Sequence, residues 1–404
     1  MPTGFAAIIE PIAMTRRCLS SSVLVMGLLL GVIACAGDSR GATRTATPST
    51  PSPATETLAP QPIQPPQTST RLALVFVDTS RGQTADLYVG EMNGTEAHLV
   101  ASLDLPARAL GVAGTTVAML DSNNQIVFID LVRGERRAMP APAGVVFDAR
   151  FVDETTFLYS VGPGCAHSGT QGRLMAVVVS TLVQRELHSN DLSLTIAGVE
   201  ASTGEVALVP RGCDPSVNSV VVHSIADGAE IADVPAAGCG WVVAAPAIEA
   251  VIVSWLACTP LPREAADATI YRYAEGAAEA RSVTAPGGGA NMHPFLFRPG
   301  ADEAALGTTV TEGAGPGSAS AGGIWLLSLA TLDFELIVPA EGAEQFPVQW
   351  SADGRYLLYG TVLAQGLCRY GIVDTQNLQL QLVPEAIQFC GINGNVVGWA
   401  TLME

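Results

Sequence analysis

The chain of 404 residues contains no lysine: all twenty of its basic residues are arginine. That absence removes Schiff-base chemistry, a phosphate-loop lysine and a Ser–Lys dyad from the functions open to it. Nor do the arginines gather into a basic stripe. With 38 acidic residues and a formal charge of −18, the chain is a poor match for nucleic acid or for anionic lipid headgroups. No G-x-S-x-G elbow, C-x-x-C pair or D-x-D-x-D-G calcium array occurs, so the usual signatures of a nucleophilic hydrolase, a zinc site and a calcium loop are all missing. After residue 35 there is no apolar run of spanning length, and beyond Ser69 no 3.6-residue hydrophobic period, which excludes a later membrane helix and a helical fold.

What is present begins at residues 14–38, MTRRCLSSSVLVMGLLLGVIACAGD. Arg16 and Arg17 form a positive n-region, Leu19 to Ile33 an apolar h-region, and Val32-Ile33-Ala34-Cys35 a small-residue cleavage site followed by cysteine. This segment resembles a bacterial lipoprotein signal peptide whose lipobox ends at Cys35. The resemblance implies cleavage before Cys35 and acylation of its thiol. Leu19–Ala34 covers only 16 positions, against the roughly 20 apolar residues a membrane helix needs. The Arg16-Arg17 pair only partly matches a twin-arginine export signal, and Met14 makes a better translation start than Met1. Removing residues 1–34 leaves 18 arginines against 37 acidic residues, a formal charge of about −19. Two or more acyl chains on Cys35 would anchor the chain stably to an outer membrane face, whereas one would hold it only marginally.

Residues 35–70 form the next segment. From Ser39 to Thr70 the composition is Thr, Ser, Pro, Gln and Ala, with almost no aliphatic side chains. Such a stretch cannot bury enough apolar surface to offset its ordering entropy and is expected to be a disordered tether. It would reach roughly 100 Å if fully polyproline-like and about 30 Å as a flexible coil. The Ser/Thr/Pro mixture also suits an O-glycosylated stalk.

Residues 71–404 carry short runs of Val, Ile, Leu, Tyr and Thr punctuated by Gly, Pro and Asp, so the domain is expected to be all-β. Seven similar hairpins recur: Leu87–Val100, Ile126–Met139, Leu174–Leu187, Val220–Pro235, Ile270–Thr284, Ile324–Val338 and Tyr370–Val383. Their starts are 39 to 54 residues apart, close to the length of a four-stranded propeller blade. Further strand pairs, such as those in Val146–Val161 and Phe346–Thr361, precede the later hairpins. A seven-bladed β-propeller is expected, with six or eight blades as alternatives because the spare strands do not count cleanly. Only Arg71–Asp78 precedes the first hairpin, and residues 387–404 follow the last without a hairpin of their own. The C-terminal strand should therefore complete the N-terminal blade.

Trp350-Ser351-Ala352-Asp353-Gly354-Arg355 followed by Tyr356-Leu357-Leu358-Tyr359 resembles the W-S-P-D-G-K-x-L-A-F signature of TolB-like (PD40, WD40-like) repeats, with Ala352 in place of the usual Pro. Leu87-Tyr88-Val89 with Asn93-Gly94 resembles the hairpin of the same repeats. The resemblance implies the propeller architecture, a structural Trp350 between blades and a tight Asp353-Gly354 turn; it marks no active site. It also brings the possibility of a scaffold in an envelope complex, as TolB-like propellers often are.

Cys18 falls in the signal peptide and Cys35 is the lipidation site, so six cysteines remain: Cys165, Cys213, Cys239, Cys258, Cys368 and Cys390. An even number in an exported chain suggests disulfides. All six fall at one end of the blades, after second strands or before first strands, and the expected pairing is Cys165–Cys213, Cys239–Cys258 and Cys368–Cys390 among fifteen arrangements. Zinc at Cys165 with His167 is disfavoured by the missing C-x-x-C, and no metal or cofactor is expected. The five histidines, at 98, 167, 188, 223 and 293, fall in different repeats. Asp302-Glu303 reads as a solvated turn and Gly313–Gly323 as a flexible loop. Ser351-Ala352-Asp353-Gly354 misses the sialidase box by one place. Arg150, His293 and Arg298 are the charged residues near predicted first strands, and they alone would serve a propeller hydrolase or a quinoprotein-like dehydrogenase. The expected function is a non-catalytic, lipid-anchored propeller outside the cytoplasm, with the membrane as one partner through Cys35 and a protein, peptide or glycan as the other.

Overall fold

The computed structural model describes residues 70–79, 82–92, 95–140, 144–162, 171–210, 216–236, 238–239, 241–254, 268–273, 279–284, 286, 291–309, 323–340, 344–363, 368–383 and 394–403. The expected signal peptide, Cys35 and the expected tether up to residue 69 lie outside these residues, and Thr70 already belongs to the first strand. Thirty strands and one 3-10 turn, Pro246–Ile248, make up the described structure.

The strands form seven four-stranded antiparallel sheets. Blade 1 contains β1 (Thr70–Asp78), β2 (Thr84–Glu91) and β3 (His98–Asp104); blade 2 β4 (Arg108–Ala113), β5 (Thr116–Leu120), β6 (Gln125–Asp130) and β7 (Arg136–Pro140); blade 3 β8 (Val145–Phe151), β9 (Thr156–Gly162), β10 (Gly172–Val178) and β11 (Val183–Asn190). Blade 4 contains β12 (Leu194–Glu200), β13 (Glu205–Pro210), β15 (Val220–Ser224) and β16 (Glu230–Val234). The short strands β14 (Ser216–Val217) and β17 (Gly238–Cys239) pair with each other in a ribbon beside it. Blade 5 contains β18 (Val242–Ala245), β19 (Ala250–Ser254), β20 (Ala268–Arg272) and β21 (Glu279–Val283); blade 6 β22 (Asn291–Phe297), β23 (Glu303–Thr309), β24 (Gly323–Ser328) and β25 (Phe334–Pro339); blade 7 β26 (Gln345–Trp350), β27 (Tyr356–Val362), β28 (Cys368–Asp374) and β29 (Gln379–Leu382). The last strand, β30 (Gly394–Met403), returns to pair antiparallel with β1 and completes blade 1.

Seven blades are thus settled against six or eight. Each repeated hairpin is the third and fourth strand of a blade. The first strands β30, β4, β8, β12, β18, β22 and β26 touch one another in cyclic order, so they form a closed inner ring with no open sheet edge. Six of these seven strands carry a bulge where they pair with the second strand. A bulge adds local twist, which suits a strand at the crowded axis of a ring.

The hydrophobic core is divided into seven clusters, one for each seam between successive blades. Period-two geometry explains this division. On β6, Ile126 and Phe128 face the seam with blade 3, while Val127 and Ile129 face the seam with blade 1. Both faces of such a strand are buried, so it reads as a continuous apolar run rather than an alternating one.

Candidate functional site

The turn that carries the repeat signature is built from the side chains of its own sequence. Ser351 Oγ donates to Asp353 Oδ1 at 2.6 Å and accepts from the Tyr356 amide at 2.8 Å, while the Arg355 amide donates to Asp353. The hydroxyl of Ser351 thereby holds the Asp353 carboxyl below the usual carboxylate range. Gly354 sits at φ +67°, and a Cβ there would lie 3.0 Å from the Pro299 carbonyl oxygen, so both conformation and space call for glycine. Trp350 is 5 % exposed, packs in the blade 6–7 seam, and donates from Nε1 to the Leu296 carbonyl at 3.0 Å.

Arginines lock the seams. Arg298, just past β22, donates to the Gly354 carbonyl (2.8 Å), Glu303 (2.7 Å) and Thr375 Oγ1 (3.2 Å), with its guanidinium 5.5 Å from the Trp350 ring. Arg272 on β20 pairs with Asp302 and donates to the Ile248 carbonyl. Asp302 and Glu303 are therefore both engaged by arginine rather than standing as a solvated turn. At the outer rim, Arg137, Arg185 and Arg281 sit at matching register positions, opposite Phe128, Ala176 and Ile270. Each reaches across to carbonyls of the next blade's outer hairpin, at Ser180, at Ile225 and Ala226, and at Ala330. A planar fork of five donors suits this repeated task.

A cavity of about 240 Å³ opens where the inner strands of blades 3 to 6 end and turn outward. Its walls include Val199, Val243, Ile248, Phe295 and Phe297, with Arg150, Glu200 and Arg298 at its polar edge. The structure thus brings Arg150 and Arg298 together at one cavity, while His293 falls in the first half of β22, nearer its other end. Beside Arg150, the part-buried Asp148 accepts from the Ala149 amide at 2.8 Å and from Ile196 of the next blade at 3.0 Å. Burial raises its carboxyl above the ordinary value, against the opposing pull of Arg150 and the amide donors.

At the other end of the blades, Trp241 precedes β18 and is 60 % exposed. Its backbone is fixed twice by Ser254, whose Oγ accepts from the Trp241 amide at 3.1 Å and whose own amide donates to the Trp241 carbonyl at 2.9 Å. Cys239 is two residues earlier, on β17. Cys368, at the start of β28, shares this end of the ring; it is fully buried and disulfide-bonded. Cys165, Cys213, Cys258 and Cys390 lie outside the described residues, and no cysteine pair is complete within them, so the expected pairing is not tested.

One histidine contact was not legible in the sequence. His188 on β11 and His223 on β15 meet across the blade 3–4 seam with ring centroids 4.3 Å apart. His223 is 2 % exposed; its Nδ1 faces the Gly228 carbonyl at 3.1 Å and its Nε2 has no hydrogen-bond partner. Among the described residues no three His, Cys, Asp or Glu side chains converge as a metal site.

Neither a family model nor a curated protein sequence matches the chain. Among solved structures, an oligogalacturonate lyase in complex with manganese is similar over 78 % of this chain and 86 % of that one, at 12 % identity and TM-score 0.53. The oligogalacturonate lyase of Vibrio parahaemolyticus is similar over 78 % and 85 %, at 13 % identity and TM-score 0.51. TolB from Acinetobacter baumannii aligns over 83 % of this chain and 67 % of that one, at 15 % identity and TM-score 0.40. These likenesses show the fold alone. The chain is a seven-bladed β-propeller.

Proposed function

We propose that this chain is an envelope-anchored lipoprotein held by lipid on Cys35, in which residues 35–70 lift a non-catalytic propeller from the membrane to bind a protein, peptide or glycan, as the scaffold of an envelope complex. The observation that supports this most is Trp241. A large aromatic left 60 % exposed on a backbone held by Ser254 is a ready anchor for a partner, because a rigid Trp contributes much contact area for little ordering entropy. The charged groups at the seams of blades 5 to 7 favour the same reading. Arg298, Glu303, Arg272 and Asp302 are engaged in joining blades rather than left free for proton transfer.

The test is in-cell crosslinking of the full chain followed by mass spectrometry, with Cys35→Ala and Trp241→Ala as variants. The expected result is a reproducible partner crosslinked near Trp241 and lost in Trp241→Ala, with Cys35→Ala released from the membrane fraction. Retention of Cys35→Ala in the membrane would overturn the anchor. A partner list unchanged by Trp241→Ala would overturn the docking face and leave the propeller-enzyme alternative to be pursued.

A further inference from the structure

The cavity at the far end of the inner ring holds one charged side chain whose hydrogen-bond donors are not taken up among the described residues. Arg298 donates through all three of its guanidinium nitrogens to Gly354, Glu303 and Thr375. Glu200 accepts from both the amide and the hydroxyl of Ser202, at 3.0 and 2.7 Å. Arg150 differs. Half-buried near the end of β8, its side chain makes no hydrogen bond among the described residues; its charge acts on the neighbouring Asp148, whose oxygens already accept from Ala149 and Ile196.

A guanidinium with unused donors beside a concave apolar wall is the complement of one kind of ligand. Its fork matches the two oxygens of a carboxylate, and the wall of Val199, Val243, Ile248, Phe295 and Phe297 matches an apolar body. At about 240 Å³ the cavity falls just below the ~300–1,000 Å³ of ordinary ligand pockets, which limits the ligand to a small one. We propose that the cavity binds a small organic carboxylate carrying an apolar or aromatic body, with Arg150 holding the carboxylate. Such a group is presented either by a free acid or by the C-terminus of a peptide. The site is distinct from the Trp241 face, since inner strands run from one end of the blades to the other.

Calorimetric titration of the full chain in detergent tests the assignment, with 3-phenylpropionate against 3-phenylpropionamide, and N-acetyl-Gly-Phe against its C-terminal amide. Each acid is expected to bind at least tenfold more tightly than its amide. Arg150→Gln should cost the acids at least tenfold and leave the circular-dichroism melt in place. Ala247→Trp, placed on an exposed residue of the lining, should block binding by filling the mouth. Tighter binding of the dipeptide acid identifies a chain terminus as the source and tighter binding of 3-phenylpropionate a free acid; both support the carboxylate assignment. No binding of either acid, equal binding of acid and amide, or full affinity in folded Arg150→Gln would overturn it. None of these results bears on crosslinking at Trp241, so the two proposals fail separately.

Discussion

Replacing Arg298 by methionine removes the guanidinium that ties blade 6 to blade 7 while keeping an aliphatic stem over Trp350. Three hydrogen bonds are lost: one to the Gly354 carbonyl at 2.8 Å, one to the Glu303 carboxylate at 2.7 Å and one to Thr375 at 3.2 Å. A neutral bond contributes about 1 kcal/mol net and a charge-assisted one about 1.5–3 kcal/mol. The Arg298 side chain is 24 % exposed and Glu303 33 %, so water screens part of the ion pair and re-solvates its remnant. The low ends of three charge-assisted bonds sum to about 4.5 kcal/mol, and with that screening and re-solvation discounted Arg298→Met should cost about 2–3 kcal/mol. Urea unfolding of the full chain measures this as a lower midpoint at unchanged slope. Amide exchange should speed first at Trp350 and its neighbours, because the loss is local to one seam. A double-mutant cycle with Thr375→Val should show coupling of at least about 0.5 kcal/mol. An Arg298→Met midpoint within about 0.5 kcal/mol of the parent would refute the view that this side chain holds the seam.

Three further outcomes are expected. Gly198→Ala would place a Cβ 2.0 Å from the Ala244 carbonyl oxygen of the next blade; backbone must shift, and the cost in urea should reach the upper part of the ~1–3 kcal/mol seen for overpacking. Trp399→Ala empties a side chain 5 % exposed in the blade 7–1 seam and should cost about 3–5 kcal/mol, with β30 the first strand to lose exchange protection. The His188 pKa is lowered from 6.5, first by burial and then by His223, against the opposing pull of Glu230 and Glu186. The unfolded chain therefore binds more protons here, so the stability this group contributes is complete above pH 6.5 and is lost as pH falls below it. Unfolding midpoints at pH 7.5 and 5.5 should differ in the parent and differ less in His188→Gln; an identical pH slope in that variant would remove His188 as the cause.

Several features were legible because they depend on local order. The third and fourth strands of every blade show in the sequence as hairpins such as Ile126–Met139, since the third strand is buried on both faces and reads as an apolar run, while several of the turns that follow carry glycine or aspartate. The Trp350–Arg355 signature reads correctly because Ser351, Asp353 and Gly354 satisfy one another within four residues. Asp302-Glu303, by contrast, reads as a solvated turn when its partners, Arg272 and Arg298, are out of sight; Arg272 is 30 residues away from Asp302. The β14–β17 ribbon escaped notice because a pairing of two residues has no period. His188 and His223 looked scattered for a related reason. They belong to different repeats, and only the seam between blades 3 and 4 brings them together.

By itself the sequence determined the all-β class, the repeat length, the blade signature and the closing of the first blade by the last strand. These follow from period-two burial and turn chemistry, which act over a few residues at a time. The tertiary structure alone decided which arginines clamp which carbonyls, where Trp241 is presented, and that Arg150 lines a cavity shared by blades 3 to 6. Those outcomes depend on how far each strand is slid and tilted against its neighbour in a closed ring, a condition that all seven blades satisfy together and that no single stretch of chain encodes.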